Sequence, residues 1–282
     1  MAEKTHIEWC DSTLNLEMGC DGCELWSSKV RTCYAGVLTR KYEGKPGWPR
    51  LFEQATIFPE RLPKALRWKD LRGLARPSKP WLDGLPRLIF LNDMGDTFAE
   101  SLSIDWLLPF VKCMEASPHV WMILTKRPHR MARFFTESMG GRVPRNFWPG
   151  CSVTSRSTMR RMETLKAIGD ERTVRWMSVE PILDDLASGA DFRGIAALLA
   201  GGESGNDARP MQAQWADNLF AAARRDGCRW FWKQWGIDKN NPDQADPTRQ
   251  SAGGYSKGGA RLHGREWREL PAIERSGELV LP

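Results

Sequence analysis

The chain has 282 residues, of which 41% are hydrophobic and 27% charged, with a formal net charge of +6; that is globular composition, enough for one large α/β domain or two small ones. No apolar run approaches the ~20 residues that cross a bilayer, and the start "MAEKTHIEWCD" has no apolar signal core, so a cytoplasmic protein with no membrane partner is expected. Thiols stay reduced there, so clustered cysteines are expected to be ligands rather than disulfides.

In chain order, "TLNLEMG" (13–19) reads as a strand and runs into "GCDGCELWSSKVRTCYA", which places Cys20, Cys23 and Cys33 within fourteen residues. "TCYAGVLTRKYEG" (32–44) reads as a helix and "ERLPKALRWKDLR" (60–72) as a shorter one interrupted by proline. Apolar runs and amphipathic segments then alternate. The strands are "PRLIFLND" (86–93), "HVWMILTK" (119–126), "FWPGCSV" (147–153), "TVRWMSVE" (173–180), "AALLAGGE" (196–203) and "RWFWKQ" (229–234). The helices between them are "SLSIDWLLPFVKCMEA" (101–116), "PHRMARFFTES" (128–138), "SRSTMRRMETLKAIGD" (155–170) and "MQAQWADNLFAAARRDG" (211–227). Near-continuous apolar strands separated by helices are the pattern of a parallel sheet covered on both faces. Seven such units predict an α/β fold, a partial (β/α) barrel of about six to seven parallel strands over residues 1–236. After Gly236 the Gly, Pro, Asn and Asp content predicts an irregular, loop-rich extension over 237–282.

Charge is unevenly placed. Between Lys29 and Phe90 there are 14 Lys/Arg and 5 Asp/Glu, a local excess of nine cations, so the remainder is slightly acidic. The basic stretch, with an insertion at about 42–85, is interleaved with Trp48, Phe52, Phe58, Trp68 and Trp81. Cations for phosphates and flat rings for stacking suit a nucleic-acid surface; a solvated helix face with an apolar underside fits equally. Several of the 14 tryptophans lie inside apolar strands and are expected in the core, as are the isolated Cys113, Cys151 and Cys228.

Ligands of α/β folds bind at the carboxyl ends of the strands, and those ends are polar here. They carry Asn92, Asp93 and Asp96 in "NDMGD", Lys126 in "TKRP", Ser152 and Thr154 in "SVTSR", and Glu180 in "SVEP". Glu203 and Arg209 follow in "GGESGNDARP", and Lys233 in "KQWG". Each has a plain alternative as a cap or turn residue; their convergence on one expected rim points to a catalytic site.

The three cysteines admit three readings. A structural zinc site needs a fourth ligand, for which Cys10 or His6 is available. A thioredoxin-like pair needs no third thiol. A [4Fe–4S] cluster on three thiolates leaves one iron open to a small molecule, the arrangement radical chemistry with S-adenosylmethionine requires.

Taken together, "IEWCDSTLNLEMGC…CYA", "FLNDMGDTF", "ILTKRPHRM", "CSVTSRSTMRRMETL", "VRWMSVEPIL", "AGGESGNDARPM", "WFWKQWG" and "GREW" resemble, in order, the signature blocks of a phage-associated three-cysteine-motif family that is radical-SAM-like. In that family the closely spaced cysteine pair comes last, whereas here it comes first. The resemblance implies a radical-SAM type of barrel and Cys20, Cys23 and Cys33 as cluster ligands. It implies Asn92, Asp93, Asp96, Lys126, Ser152, Thr154 and Tyr34 around S-adenosylmethionine. Glu180, Glu203, Arg209 and Lys233 are left for the substrate. The chain is also similar to phage-encoded radical-SAM enzymes that rearrange an amino-acid adduct on hypermodified thymidine. That implies a base extruded from DNA, or a modified nucleotide, as substrate and a flavodoxin- or ferredoxin-type host reductant as partner. A DNA-lesion repair lyase of the same chemistry and a zinc-stabilised nucleic-acid-binding protein without catalysis are the competing readings.

Overall fold

The computed structural model describes every residue except 206, 250–256, 274–278 and 281–282, so part of the expected extension over 237–282 lies outside the described residues. The chain divides into two compact units, one of residues 1–150 with 167–173 and one of 151–166 with 174–282.

In the first unit the expected strand at 13–19 breaks into two short ones. Strand β1 (Ser12–Thr13) and strand β2 (Glu17–Met18) join different sheets: β2 pairs antiparallel with β3 (Thr56–Ile57), and β1 pairs parallel with β4 (Leu88–Leu91). Helix α1 (Tyr34–Tyr42) starts directly after Cys33, and the prolines confine the next helix, α2, to Leu62–Leu66. Helix α3 (Leu108–Glu115) begins later than its apolar pattern suggests, because Pro109 suits the first helical turn. Its buried stripe is Val111 and Met114, which leaves Cys113 exposed rather than in the core. Strand β5 (Val120–Thr125) pairs parallel with β4 and leads into helix α4 (Pro128–Arg133) and then strand β6 (Phe147–Ser152).

The second unit holds helix α5 (Arg160–Lys166), strands β7 (Trp176–Val179) and β8 (Ala197–Ala200), helix α6 (Ala213–Arg225) and strand β9 (Arg229–Trp232). Strands β7, β8 and β9 pair in parallel, and Trp176, Trp230 and Trp232 are fully buried in them. The extension is irregular but attached: Trp232 N–H donates to Trp267 O (2.9 Å), Glu269 N–H to Trp230 O (3.1 Å) and Gly236 N–H to Lys257 O (2.7 Å). These bonds occupy groups that an edge strand otherwise leaves open.

The sheet runs β1-β4-β5-β6-β7-β8-β9, seven parallel strands that make the expected partial (β/α) barrel. Connections between successive parallel strands put the loops that follow them at one end of the sheet.

Candidate functional site

The cysteine loop of the first unit is shaped by backbone hydrogen bonds. Cys20 N–H donates to Phe52 O (2.7 Å), and Cys23 and Trp26 exchange N–H···O bonds of 2.8 and 3.0 Å. Gly22 has φ +98°, and a Cβ there would lie 2.6 Å from Trp26 O, so only glycine fits the turn between the first two cysteines. The carbonyl of Leu25 then accepts from both Thr32 N–H (3.1 Å) and Cys33 N–H (2.9 Å). The nine residues between Cys23 and Cys33 are thereby folded away, and Cys33 returns beside Cys23. The unusual order of the motif is accommodated by a loop closed on itself.

Trp26 locks this loop to α1. Its buried ring lies edge-on to Phe52 at 5.1 Å and against Gly36, where a Cβ would come within 2.6 Å of the ring. The indole N–H donates to Glu53 Oε1 (3.0 Å), and the Arg31 and Arg40 guanidinium groups lie 4.5 and 5.0 Å from the ring centre.

Two consecutive cations at the end of β5 face the thiols. Lys126 is half-buried, and its neighbours in charge are Cys23, Cys33, Glu24 and Asp96; burial works against its ammonium, but these groups outweigh it and raise its pKa. Arg127 places Nη1 3.6 Å from Cys20 Sγ and 3.0 Å from Asp96 Oδ2, and donates from Nη2 to Gly22 O (2.7 Å). Burial pushes the Cys20 thiol up to about 12, with Asp96 adding to the rise and Arg127 opposing it, and burial also raises Cys23.

Behind the thiols, "NDMGD" closes on Glu17. The Asn92 amide donates to Glu17 Oε2, and Asp96 N–H donates to Glu17 Oε1 (3.1 Å). A Cβ on Gly95 would collide with that carboxylate. Burial first, and the nearby Asp96 charge second, raise the Glu17 carboxyl well above its ordinary value. Asp96 itself is fully engaged: it accepts from Thr125 Oγ1 (2.5 Å), Phe98 N–H, Lys126 N–H and Arg127 Nη1 (3.0 Å each). It therefore joins the ends of β4 and β5 rather than facing outward. By contrast, Asn92 Oδ1 and Asp93 Oδ1 are buried with no hydrogen-bond partner among the described residues, and burial raises the Asp93 carboxyl. Tyr34, the first residue of α1, donates its hydroxyl to Asp93 O.

The remaining expected residues belong to the second unit. Ser152 ends β6, and "SVTSR" is a helix start: Ser155 and Thr158 form a capping box, and Thr154 N–H donates to Thr158 Oγ1 (3.0 Å). Glu180 and Lys233 pair at 2.6 Å, following β7 and β9, while Glu203 takes Arg209 through two bonds of 2.7 Å. The structure thus unites Cys20, Cys23, Cys33, Asn92, Asp93, Asp96, Lys126 and Tyr34 in one unit, and makes two ion pairs of the other four charged residues. Arg127, which stands beside Lys126 in the polar strand end "TKRP", is the member to which the sequence assigns no role.

Among the described residues, no group of three or more His, Cys, Asp and Glu side chains is gathered as the ligands of an ion would be. The fit to a metal group is carried by donor chemistry. Thiols give up their protons to a strong cation, including Cys20 and Cys23, whose ionisation burial opposes, and Lys126 and Arg127 stand ready to offset thiolate charge. Asn92 Oδ1 and Asp93 Oδ1 are acceptors in need of a donor.

A family model described as "Protein of unknown function (DUF5131)" matches residues 4–271. No curated protein and no solved structure matches the chain.

Proposed function

For a chain that belongs to the DUF5131 family, we propose a radical enzyme that holds a [4Fe–4S] cluster on Cys20, Cys23 and Cys33 and cleaves S-adenosylmethionine. The observation that carries this reading is the loop closed at the Leu25 carbonyl, which brings Cys33 back to Cys23, with Lys126 beside those two thiols and Arg127 beside Cys20. When bound, such a cluster supplies the electron that splits the sulfonium to a 5′-deoxyadenosyl radical.

The chain's own groups bind and orient. Lys126 offsets thiolate charge and can hold a carboxylate. Asn92 Oδ1 and Asp93 Oδ1 accept from an ammonium, whose positive charge opposes the rise that burial imposes on the Asp93 carboxyl. Asp96 and Arg127 keep these strand ends in register with the loop. Ser152 and Thr154 are assigned to the cofactor, and Glu180, Glu203, Arg209 and Lys233 to the substrate. That substrate is a modified base in DNA, an amino-acid adduct of thymidine that is rearranged. Support for it comes from the block resemblance.

The test is purification without oxygen. Brown protein with about four irons and four sulfides per chain, forming 5′-deoxyadenosine with a reductant, is the expected result. Cys20→Ala, Cys23→Ala and Cys33→Ala should each lose the cluster. Cys10→Ala should keep it, because Cys10 is fully buried and its carbonyl receives the Lys79 ammonium (2.6 Å). A colourless protein with one air-stable zinc, lost equally on Cys10→Ala, sinks the reading.

A further inference from the structure

The basic segment has a different surface from the one its composition suggests. Its rings are committed to packing. Phe52 is buried, Trp48 stacks on Tyr42 at 4.8 Å, Phe58 lies 3.8 Å under the Arg61 guanidinium, and the Trp81 indole donates to Glu8 O (2.9 Å). What stands in solvent is an apolar stripe on α1. Tyr34, Val37 and Leu38, at positions i, i+3 and i+4, are 58%, 56% and 38% exposed, and Leu51 is 42% exposed. Leu51 precedes Phe52, whose ring packs on Trp26, the residue that α1 covers at Gly36.

Cations surround the stripe. From Lys29 to Arg50 there are six Lys/Arg and one acidic residue, Glu43. Glu53 offsets Arg31 (2.9 Å) and Arg40 (3.6 Å). Among the described residues, Lys41, Lys45 and Arg50 have no carboxylate partner.

We propose that this face of α1 docks an acidic protein that delivers single electrons to the group held by the three thiols. Aliphatic side chains ringed by charge have the anatomy of a protein–protein contact, with an apolar centre and polar rim. Nucleic acid uses cations and a row of stacking rings, whereas this face offers one exposed ring, Tyr34, beside Val37, Leu38 and Leu51. The unbalanced cations select a partner of negative surface and speed its encounter. Location supplies the role: Val37 lies four residues from Cys33, about 6 Å along the helix axis. In the step, one electron leaves the donor, which is oxidised by one equivalent, and enters the thiol-held group; no bond forms or breaks. The proposal rests on the radical reading above.

The experiment uses the full chain and an acidic flavodoxin as probe, with binding followed by titration calorimetry at low and at physiological salt. Wild type should bind, more weakly as salt rises. Val37→Asp/Leu38→Asp and Lys41→Glu/Lys45→Glu should each weaken binding at least about tenfold. Both variants should keep the wild-type iron content and the wild-type reduction by dithionite, while reduction by flavodoxin hydroquinone slows in parallel with binding. Equal binding and equal flavodoxin-driven reduction in wild type and both variants would overturn the proposal. So would binding of single-stranded DNA that Lys41→Glu/Lys45→Glu abolishes and Val37→Asp/Leu38→Asp leaves intact, or a self-association that the apolar variant alone removes. Failure of the radical reading looks different: wild type then gives no 5′-deoxyadenosine even with dithionite.

Discussion

Asp96 and Arg127 form the pair on which the geometry of the first unit's site depends. Both side chains are nearly buried, at 7% and 11% exposure, and lie 3.0 Å apart. Breaking a buried pair strands the surviving charge, so Arg127→Ala should cost about 3–5 kcal/mol in urea unfolding. Arg127→Lys should recover only part of this, because an ammonium cannot reach Cys20 Sγ, Gly22 O and Asp96 together. An Arg127→Ala protein as stable as wild type would show that the contacts are incidental. Glu17 gives a pH signature. Its folded-state pKa is raised, first by burial, so the folded chain holds the proton more tightly than the unfolded one. The resulting stabilisation is complete below the ordinary glutamate value, about 4.3, and is lost as pH rises through the raised folded value. Glu17→Gln, with the Asn92 amide turned to accept, removes the titration. It should match wild type in acid and exceed it at alkaline pH; unfolding midpoints that run parallel across this range would mean that Glu17 is ionised when folded. Neither residue's part was legible from sequence. Asp96 reads as one more strand-end carboxylate until its four donors are seen, and three of them, on Thr125, Lys126 and Arg127, come from a segment that only the fold brings near.

At the scale of elements, α1 and the cysteine loop form one device through Gly36 and Trp26. A methyl group at position 36 would meet the indole at 2.6 Å. Gly36→Ala improves helix propensity yet should destabilise the protein by about 1–3 kcal/mol through overpacking, and it should lower iron content after reconstitution because Cys33 moves with the helix. A variant with raised melting temperature and full iron would show that the loop and helix are independent. The parallel strands were legible within a few residues of their observed bounds, because continuous apolar runs separated by amphipathic ones have few other uses. The break of 13–19 into β1 and β2 was not. Both short strands are buried, and the choice of partner, Leu88–Leu91 for one and Thr56–Ile57 for the other, is a long-range decision.

At the scale of the molecule, the extension after Gly236 acts as the edge of the second unit. Trp267 packs its ring 4.6 Å from Phe220 and 3.4 Å from the Arg265 guanidinium, while its carbonyl takes the Trp232 N–H. A chain ended before Lys257 should expose the backbone groups of β9 and associate, seen as light scattering at concentrations where the whole chain is monodisperse; a truncated chain that stays monodisperse and melts as before would refute this. By itself the sequence determined the parallel α/β architecture, the polar strand ends and the count of three clustered thiols, because apolar periodicity and residue type are local properties. Only the tertiary structure decided how the nine residues before Cys33 fold away, which strand-end groups are spent on each other, and that α1 turns Tyr34, Val37 and Leu38 to solvent while the tryptophans and phenylalanines of the basic segment are partly or fully buried. Those outcomes depend on hydrogen bonds and burial between segments distant in the chain, for which composition and spacing carry no signal.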